Sequence, residues 1–167
     1  MVKKKSPSNQ LSKRSSPPAV IGWREHVELP ALGIGPITAK IDTGARSAAL
    51  HAEEIELLHD GRKVRFRVPH NASSPRRVTC ELPVTDWRMV KNSGGGSELR
   101  FVVETEVAIG KLRFPTEITL TNRTDMGVPM LLGRKFLVDR FLVDPKKSYL
   151  LSKARTARRP KRKKSAS

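Results

Sequence analysis

Residues 37–45 read Ile37-Thr38-Ala39-Lys40-Ile41-Asp42-Thr43-Gly44-Ala45. The apolar residues at alternate positions of 37–41 predict a strand, and Asp42 follows it directly. Because glycine adopts backbone angles closed to other residues, Gly44 favours a tight turn that presents one aspartate. Such a turn can simply cap local amides. If two such turns came together, their two aspartates could instead share a proton and activate a water molecule. The chain has only one Asp-Thr-Gly.

Short strands separated by turn residues extend on both sides of this turn. The predicted strands cover residues 20–29, 37–41, 63–68, 78–84, 87–90, 130–132, 141–144 and 148–151, with a hairpin over 98–121. We expect a bulge within 98–109, where the apolar alternation changes phase. Residues 48–57 fit a helix or a strand, and 134–139 predict a short helix. The pattern predicts an all-β, barrel-like domain with one or two short helices.

Positive charge is concentrated at the two ends of the chain. The formal net charge of the 167 residues is +17, of which residues 1–18 carry +5 and residues 153–167 carry +8. Both ends are rich in Ser, Pro, Lys and Arg without apolar periodicity, so we expect disordered tails flanking a folded domain over 19–152. The tails predict contact with RNA or a ribosome surface through phosphate charges, or serve only as solubilising segments.

Several function classes are not supported by the sequence. No apolar run is long enough to span a membrane, and the N-terminal residues lack the apolar segment of a secretory signal. Cys80 is the only cysteine, which excludes an internal disulfide. We therefore expect a cytoplasmic protein without a membrane partner.

A second apolar segment, Leu131-Leu132-Gly133-Arg134, gives the aspartate turn a wider context. An Asp-Thr-Gly-Ala turn followed later by two apolar residues, Gly-Arg and a short helix resembles the retropepsin-like aspartic proteases. The longer strings 39–47 and 120–134 are similar to one bacterial branch, labelled ATP-dependent zinc protease. That branch is often associated with the ligase that adds glutamates to a ribosomal protein. The resemblance covers residues 19–152 and leaves out the tails.

The resemblance implies a closed β-barrel and a homodimeric aspartic endopeptidase, a hydrolase of peptide or protein substrates. One Asp42 from each subunit would form the catalytic pair, Thr43 would support the turn by hydrogen bonding, and Gly44 would let the backbone approach substrate. The strand over 131–133 would pack behind the turn. A flap that excludes water should lie between residues 62 and 97, with the 94–96 loop as a candidate tip.

One position departs from the viral members of the resembled group. Those enzymes usually carry an aspartate directly after Asp-Thr-Gly-Ala, and it pairs with the arginine of Gly-Arg, whereas this chain has Arg46 there. Arg46 and Arg134 cannot pair with each other, so each needs an anion, which Asp125, Asp139 or an acidic substrate could supply. We expect Ala45, Arg46, Arg134 and His51 to bind substrate. The arginines would contact acidic side chains, such as those of a glutamate tail.

Other chemistries have weaker support in the sequence. There is no His-Glu-x-x-His, and the histidines, Cys80 and scattered acids lack close ligand spacing, so we expect no metal. No Gly-x4-Gly-Lys-Ser/Thr loop is present, and we expect no nucleotide or other cofactor. The alternatives are a Cys-His pair of Cys80 and His70, a metal-dependent hydrolase, and a peptidase-like binding module that docks on an RNA–protein assembly through its tails.

Overall fold

The computed structural model describes residues 16–71, 74–92, 94–123 and 127–152. Within these ranges the chain forms twelve strands, one short α-helix and a 3-10 turn over Pro30–Leu32. The strands are β1 Ala19–Gly22, β2 Arg24–Leu29, β3 Ile34–Ile41, β4 Ala48–His51, β5 Glu53–Leu58, β6 Lys63–Pro69, β7 Arg77–Pro83, β8 Asp86–Lys91, β9 Ser97–Ile109, β10 Leu112–Thr121, β11 Met130–Leu132 and β12 Phe141–Asp144. The helix, α1, covers Arg134–Leu137, so the predicted short helix is present and ends earlier than expected.

Six of these strands close into a barrel, which confirms the predicted all-β class. Their order is β10, β4, β11, β3, β2 and β9, and β9 pairs with β10 to complete the ring. Two of the contacts, β4 with β10 and β3 with β11, are parallel. The parallel β3–β11 pair brings two distant parts of the sequence side by side at the end of β3.

The predicted hairpin over 98–121 is confirmed as β9 and β10. Its register runs from Leu112↔Ile109 to Thr119↔Val102 without a shift, so the bulge expected within 98–109 is wrong. The apolar alternation changes there because Val107, Ala108 and Ile109 are all buried, which means that both faces of the strand are covered. The irregular pairings lie instead between β2 and β3 and between β5 and β6.

Alternation along the strands fills the barrel and the layer beside it. On β6, the side chains of Val64, Phe66 and Val68 are fully buried, whereas Lys63 and Arg65 are exposed. Each such buried apolar side chain contributes about 1.5–3 kcal/mol to stability. The ambiguous segment 48–57 forms β4 and β5, because all four residues of β4 are buried between β10 and β11.

Two smaller units flank the barrel. β5, β6 and β7 form a three-stranded antiparallel sheet, which we call the outer sheet. β1 and β12 form a parallel ribbon in which Val20 and Leu142 are register partners, 48% and 59% exposed. No helix in the described part of the chain is long and apolar enough to cross a membrane. The predicted tails lie outside the described ranges except for residues 16–18.

The strand predicted over 148–151 is wrong, because a buried carboxylate binds the main chain there. Glu25 is 0% exposed, and its Oε1 accepts the N–H groups of Leu150 at 2.8 Å and Leu151 at 3.3 Å. Its Oε2 accepts both the N–H and the hydroxyl of Ser152, at 3.2 and 2.7 Å, and Oε1 also accepts the Gly22 N–H at 2.9 Å. Amide groups held by a carboxylate cannot enter a strand ladder.

We predict that Glu25→Ala lowers the free energy of unfolding by about 3 kcal/mol or more, because it leaves several buried donors without an acceptor. Glu56→Ala is the matched control, since the Glu56 side chain is 64% exposed and lies 3.8 Å from Arg65. It should change stability by less than about 0.5 kcal/mol. Urea unfolding followed by circular dichroism measures both, and equal losses in the two variants would contradict the role of Glu25.

Candidate active site

Asp42 is positioned by the parallel pair of strands at the end of β3. Leu132 of β11 lies in register with Ile41 of β3, and the N–H of Asp42 donates to the Leu132 carbonyl at 2.9 Å. The segment predicted to pack behind the turn therefore lies beside it. This hydrogen bond fixes the point at which the main chain leaves the barrel, and therefore the position from which the Asp42 side chain extends.

The Asp42 carboxylate is oriented by its own turn. Its Oδ1 accepts the N–H of Gly44 at 2.9 Å and the N–H of Ala45 at 3.2 Å. No donor from the described residues binds Oδ2. The local cap considered for this sequence thus exists, and it holds the half-buried carboxylate in one orientation while Oδ2 remains available.

Two details of the turn differ from expectation. The backbone of Gly44 is outside the left-handed region. A glycine fits here for a steric reason, because a Cβ at this position would lie 3.2 Å from Asp42 Oδ1. The hydroxyl of Thr43 makes no hydrogen bond to the described residues. The turn is supported instead through the Thr43 carbonyl, which accepts a hydrogen bond from Arg134 Nη1 at 3.0 Å.

Gly133 allows the segment after Asp42 to cross over the end of β11. A Cβ at this glycine would lie 2.6 Å from the Ser47 carbonyl oxygen and 2.7 Å from that of Ala45. The two amides that follow Gly133 then donate to the crossing segment, Arg134 N–H to Ala45 O at 2.8 Å and Lys135 N–H to Arg46 O at 3.0 Å. The start of α1 and the aspartate turn are therefore one connected piece of backbone.

A groove of about 450 Å³ lies next to the turn, and we call it the basic groove. Ala45 and Arg46, two of the predicted substrate-binding residues, line it. The basic residues along it are Arg46, Arg88, Lys91, Arg100 and Arg123. None of the described residues that line it is acidic. The groove is therefore suited to an anionic ligand.

Arg123 is the most enclosed of these arginines, with 9% of its surface exposed. Burial lowers the pKa of its guanidinium, the nearby charge of Arg100 lowers it further, and the charge of Asp42 opposes both effects. Among the described residues its side chain has one hydrogen bond, from Nε to the Val128 carbonyl at 3.4 Å. A charged group held this way gains most from an anion that enters the groove.

The other two predicted substrate-binding residues lie elsewhere. Arg134 borders an apolar depression with Thr43, and its guanidinium binds the Thr43 carbonyl; in the described ranges it forms no ion pair with a carboxylate, and Asp125 lies outside them. His51 is 7% exposed and both of its ring nitrogens are occupied, by Glu53 and by the Arg123 amide. Neither ring nitrogen is free to bind substrate in this arrangement, and contact of His51 with substrate stays a prediction.

The hairpin of β8 and β9 lies along the basic groove, and its tip includes Asn92 and the predicted loop 94–96. Asn92 closes the tip, since its N–H donates to the Gly96 carbonyl and its Oδ1 accepts the Gly96 N–H, both at 2.9 Å. Arg88 and Arg100 are direct cross-strand partners on this hairpin. This is the position at which a flap could cover substrate.

The sequence reasoning missed Arg88, Lys91, Arg100 and Arg123. For Arg88 and Arg100 a signal existed, because each lies between apolar residues on an alternating strand and so on the polar face of the hairpin. Arg123 follows the end of β10 in a loop, where periodicity gives no direction. Its place in the groove depends on contacts made by distant residues.

The alternative chemistries gain no support from the described residues. Burial raises the pKa of the Cys80 thiol to about 11, so it stays protonated at neutral pH and is a poor nucleophile. His70 binds Asn71 through Nδ1 at 3.0 Å. No group of three His, Cys, Asp or Glu side chains within the described ranges lies close enough to hold a metal ion.

A barrel that presents Asp-Thr-Gly beside a Gly-Arg strand end defines the retropepsin-like class. Residues 20–154 match the RimB-like family, described as retropepsin-like aspartic endopeptidase RimB. The chain belongs to this family.

Relatives found by sequence carry a different name. A protein of Desulfotalea psychrophila named "Probable alpha-L-glutamate ligase" is 43% identical over 130 residues, which cover 75% of this chain and 28% of that protein. A protein of Parasynechococcus marenigrum with the same name is 39% identical over 140 residues, 81% of this chain and 30% of that protein. The chain thus spans less than a third of the length of these relatives.

One solved structure is similar along its whole length. It is a crystal structure of a protein of unknown function from Legionella pneumophila, 30% identical, with a TM-score of 0.65. The match covers 80% of this chain and 98% of that one.

We predict that Gly133→Ala destabilises the protein by about 1–3 kcal/mol, because the new methyl group meets main-chain oxygens that cannot move independently. Gly94→Ala is the control, since its Cβ would approach only Asn92 Oδ1, at 3.6 Å. Thermal unfolding of the two variants measures the difference. An unchanged midpoint for Gly133→Ala would mean that the crossing segment is free to shift.

Proposed function

We propose that the protein is an aspartic peptidase whose active site forms between two copies of the chain, one Asp42 from each, and that it acts on acidic or glutamylated protein tails. The observation that carries the proposal is a groove lined by five basic side chains directly beside the Asp42 turn. Arg88 and Arg100 are already paired with carboxylates beside the groove. Among the described residues, Arg46, Lys91 and Arg123 have no such carboxylate partner. Family membership supports the reaction class, and the groove supports the substrate class.

The chemistry follows from two carboxylates held close together. They cannot both be ionised, so the pair holds one proton, which belongs to both copies. The ionised carboxylate takes a proton from a water molecule while the water oxygen attacks the scissile carbonyl carbon. The protonated carboxylate gives its proton to the carbonyl oxygen. The resulting diol then collapses: the protonated carboxylate gives its proton to the nitrogen, the C–N bond breaks, and the other carboxylate takes a proton from one diol hydroxyl as the C=O bond re-forms. The amine and the carboxylic acid leave, and the pair again holds one proton. In each copy Oδ2 is the oxygen available for this exchange.

An apolar surface beside the Asp42 turn is suited to contact with a second copy of the chain. Thr43 and Arg134 border a shallow depression with the end of α1 and β12, and most of its lining is apolar. Val138 and Leu142 there are 64% and 59% exposed, and Val20 lies beside Leu142 on the ribbon. A symmetric contact through this surface would bury these side chains and bring the two Asp42 turns together.

The basic groove explains why acidic substrates are proposed rather than peptides in general. Arginine binds carboxylates through two parallel hydrogen bonds, and such charge-assisted bonds are about twice as strong as neutral ones. Of the residues that line the groove, Arg46 is exposed and Arg123 is enclosed, so the carboxylates of successive residues could be bound at different depths. The relatives named as ligases are proteins of which this chain matches less than a third. Ligase chemistry is therefore not part of the proposed function.

We predict that Asp42→Asn lowers the cleavage rate by about 10³-fold or more, because an amide can neither accept the water proton nor share one. The fold should persist, since the Asn oxygen can still accept the Gly44 and Ala45 amides. Cleavage is followed by mass spectrometry of a glutamate-rich peptide, and circular dichroism and light scattering check fold and assembly. Undiminished cleavage by a folded variant would exclude the aspartate pair.

We predict that a glutamate-rich peptide is cleaved at least about tenfold more efficiently than a matched glutamine-rich peptide at low salt, and that the preference shrinks as salt screens the charges. Arg100→Met should reduce kcat/KM for the acidic peptide and leave the neutral peptide nearly unaffected. Arg113→Met is the control, because Arg113 is an exposed arginine of β10 that pairs with Glu106. Equal rates for the two peptides would refute the substrate class.

A further inference from the structure

A chain of hydrogen bonds connects the outer sheet to the basic groove. On β7, Arg77 Nε donates to Glu53 Oε2 at 3.1 Å, and His51 Nε2 is bonded to Glu53 Oε1 at 3.1 Å. The other ring nitrogen of His51, Nδ1, accepts the main-chain N–H of Arg123 at 2.8 Å. Arg123 lines the groove, whereas the other three residues do not.

These contacts determine which ring nitrogen of His51 carries the hydrogen. An N–H donor can bind Nδ1 only if that nitrogen carries a lone pair, so the ring hydrogen is on Nε2 and points to Glu53. Hydrogen bonds from Arg77 and then from His51 lower the pKa of Glu53, which keeps the acceptor ionised. The ring is therefore fixed from both sides, and its 9% exposed side chain has little other space to occupy.

His51 also binds the main chain at Pro129, six residues after Arg123 in the sequence. Its main-chain N–H donates to the Pro129 carbonyl at 2.7 Å, while its ring binds Arg123 near the end of β10. The Arg123 side chain in turn reaches the Val128 carbonyl. One residue of β4 thus contacts both Arg123 and Pro129.

We propose that His51 is a positioning residue for Arg123, and that Glu53 and Arg77 extend this support, so that the outer sheet sets the affinity of the basic groove for carboxylate side chains. The proposal deepens the proposed function and rests on it for the class of ligand. It does not depend on cleavage, because binding of an acidic peptide reports the position of Arg123 directly.

The first test uses the full chain and a fluorescent glutamate-rich peptide, with fluorescence anisotropy for binding. His51→Leu removes both side-chain bonds and should weaken binding about tenfold, the loss expected for one misplaced charge-assisted contact. His51→Asn should restore binding to within about threefold, because Oδ1 lies near the position of Nδ1 and can accept the Arg123 amide. In cleavage assays the change should appear in KM rather than in kcat.

The second test starts from the outer sheet. Arg77→Met removes the partner of Glu53 and should weaken peptide binding about threefold, although Arg77 lies outside the groove. Arg65→Met is the matched control, because Arg65 lies on the same sheet and pairs with Glu81 at 2.8 Å without a connection to His51. It should leave binding unchanged. Glu53→Gln gives a second variant should His51→Leu fail to fold, and it should behave like Arg77→Met.

The outcomes separate this inference from the proposed function. Binding without cleavage by the natural sequence would refute the peptidase and leave the positioning role to be judged by affinity alone. A folded His51→Leu that binds as tightly as the natural sequence would overturn the inference. Equal effects of Arg77→Met and Arg65→Met would overturn the role of the outer sheet. Absence of peptide binding by the natural sequence would overturn the inference and the acidic substrate class, whereas the Asp42 pair is judged by cleavage alone.

Discussion

One close main-chain contact, the crossing of residues 45–47 over Gly133, holds the site together. A side chain at Gly133 would collide with the carbonyl oxygens of Ala45 and Ser47. Because the two segments touch, the first amides of α1 bind the crossing carbonyls, and β11 can run parallel to β3 and accept the Asp42 amide. The orientation of the carboxylate, the start of α1 and one wall of the basic groove all follow from this contact.

The crossing also separates the two arginines that the sequence places in similar contexts. Arg46 leaves the crossing segment towards the groove, whereas Arg134 turns back to the Thr43 carbonyl. In the groove, Arg88 and Arg100 are direct cross-strand partners, which is unfavourable for like charges. Asp86, Glu117 and Glu98 offset that repulsion from the sides. Arg88 and Arg100 are thus held side by side by carboxylates of the chain itself.

Local patterns were enough to predict most of the barrel. Alternation predicted β6, the β9–β10 hairpin and the strand before Asp42, because each depends on its own residues facing a core. The predictions failed where a distant group competes for the backbone or side chain. The sequence predicts a closing strand over 148–151, but Glu25 binds the amides of Leu150 and Leu151. The contact of His51 with Arg123 could not be predicted for the same reason. The two residues are distant in sequence, and the parallel pairing of β4 with β10 brings them together.

The parts of the proposed site differ in how much one chain supplies. The basic groove, its hairpin and the His51 support are complete within a single copy, whereas one copy carries one Asp42. Affinity for an acidic tail and the ability to cut it would therefore depend on concentration differently, since only cutting requires association. A single copy would bind an acidic tail without cutting it, and a pair would act as the peptidase. The binding module considered from the sequence stays a separate hypothesis, because it would dock on an RNA–protein assembly through the basic tails rather than bind an acid in the groove.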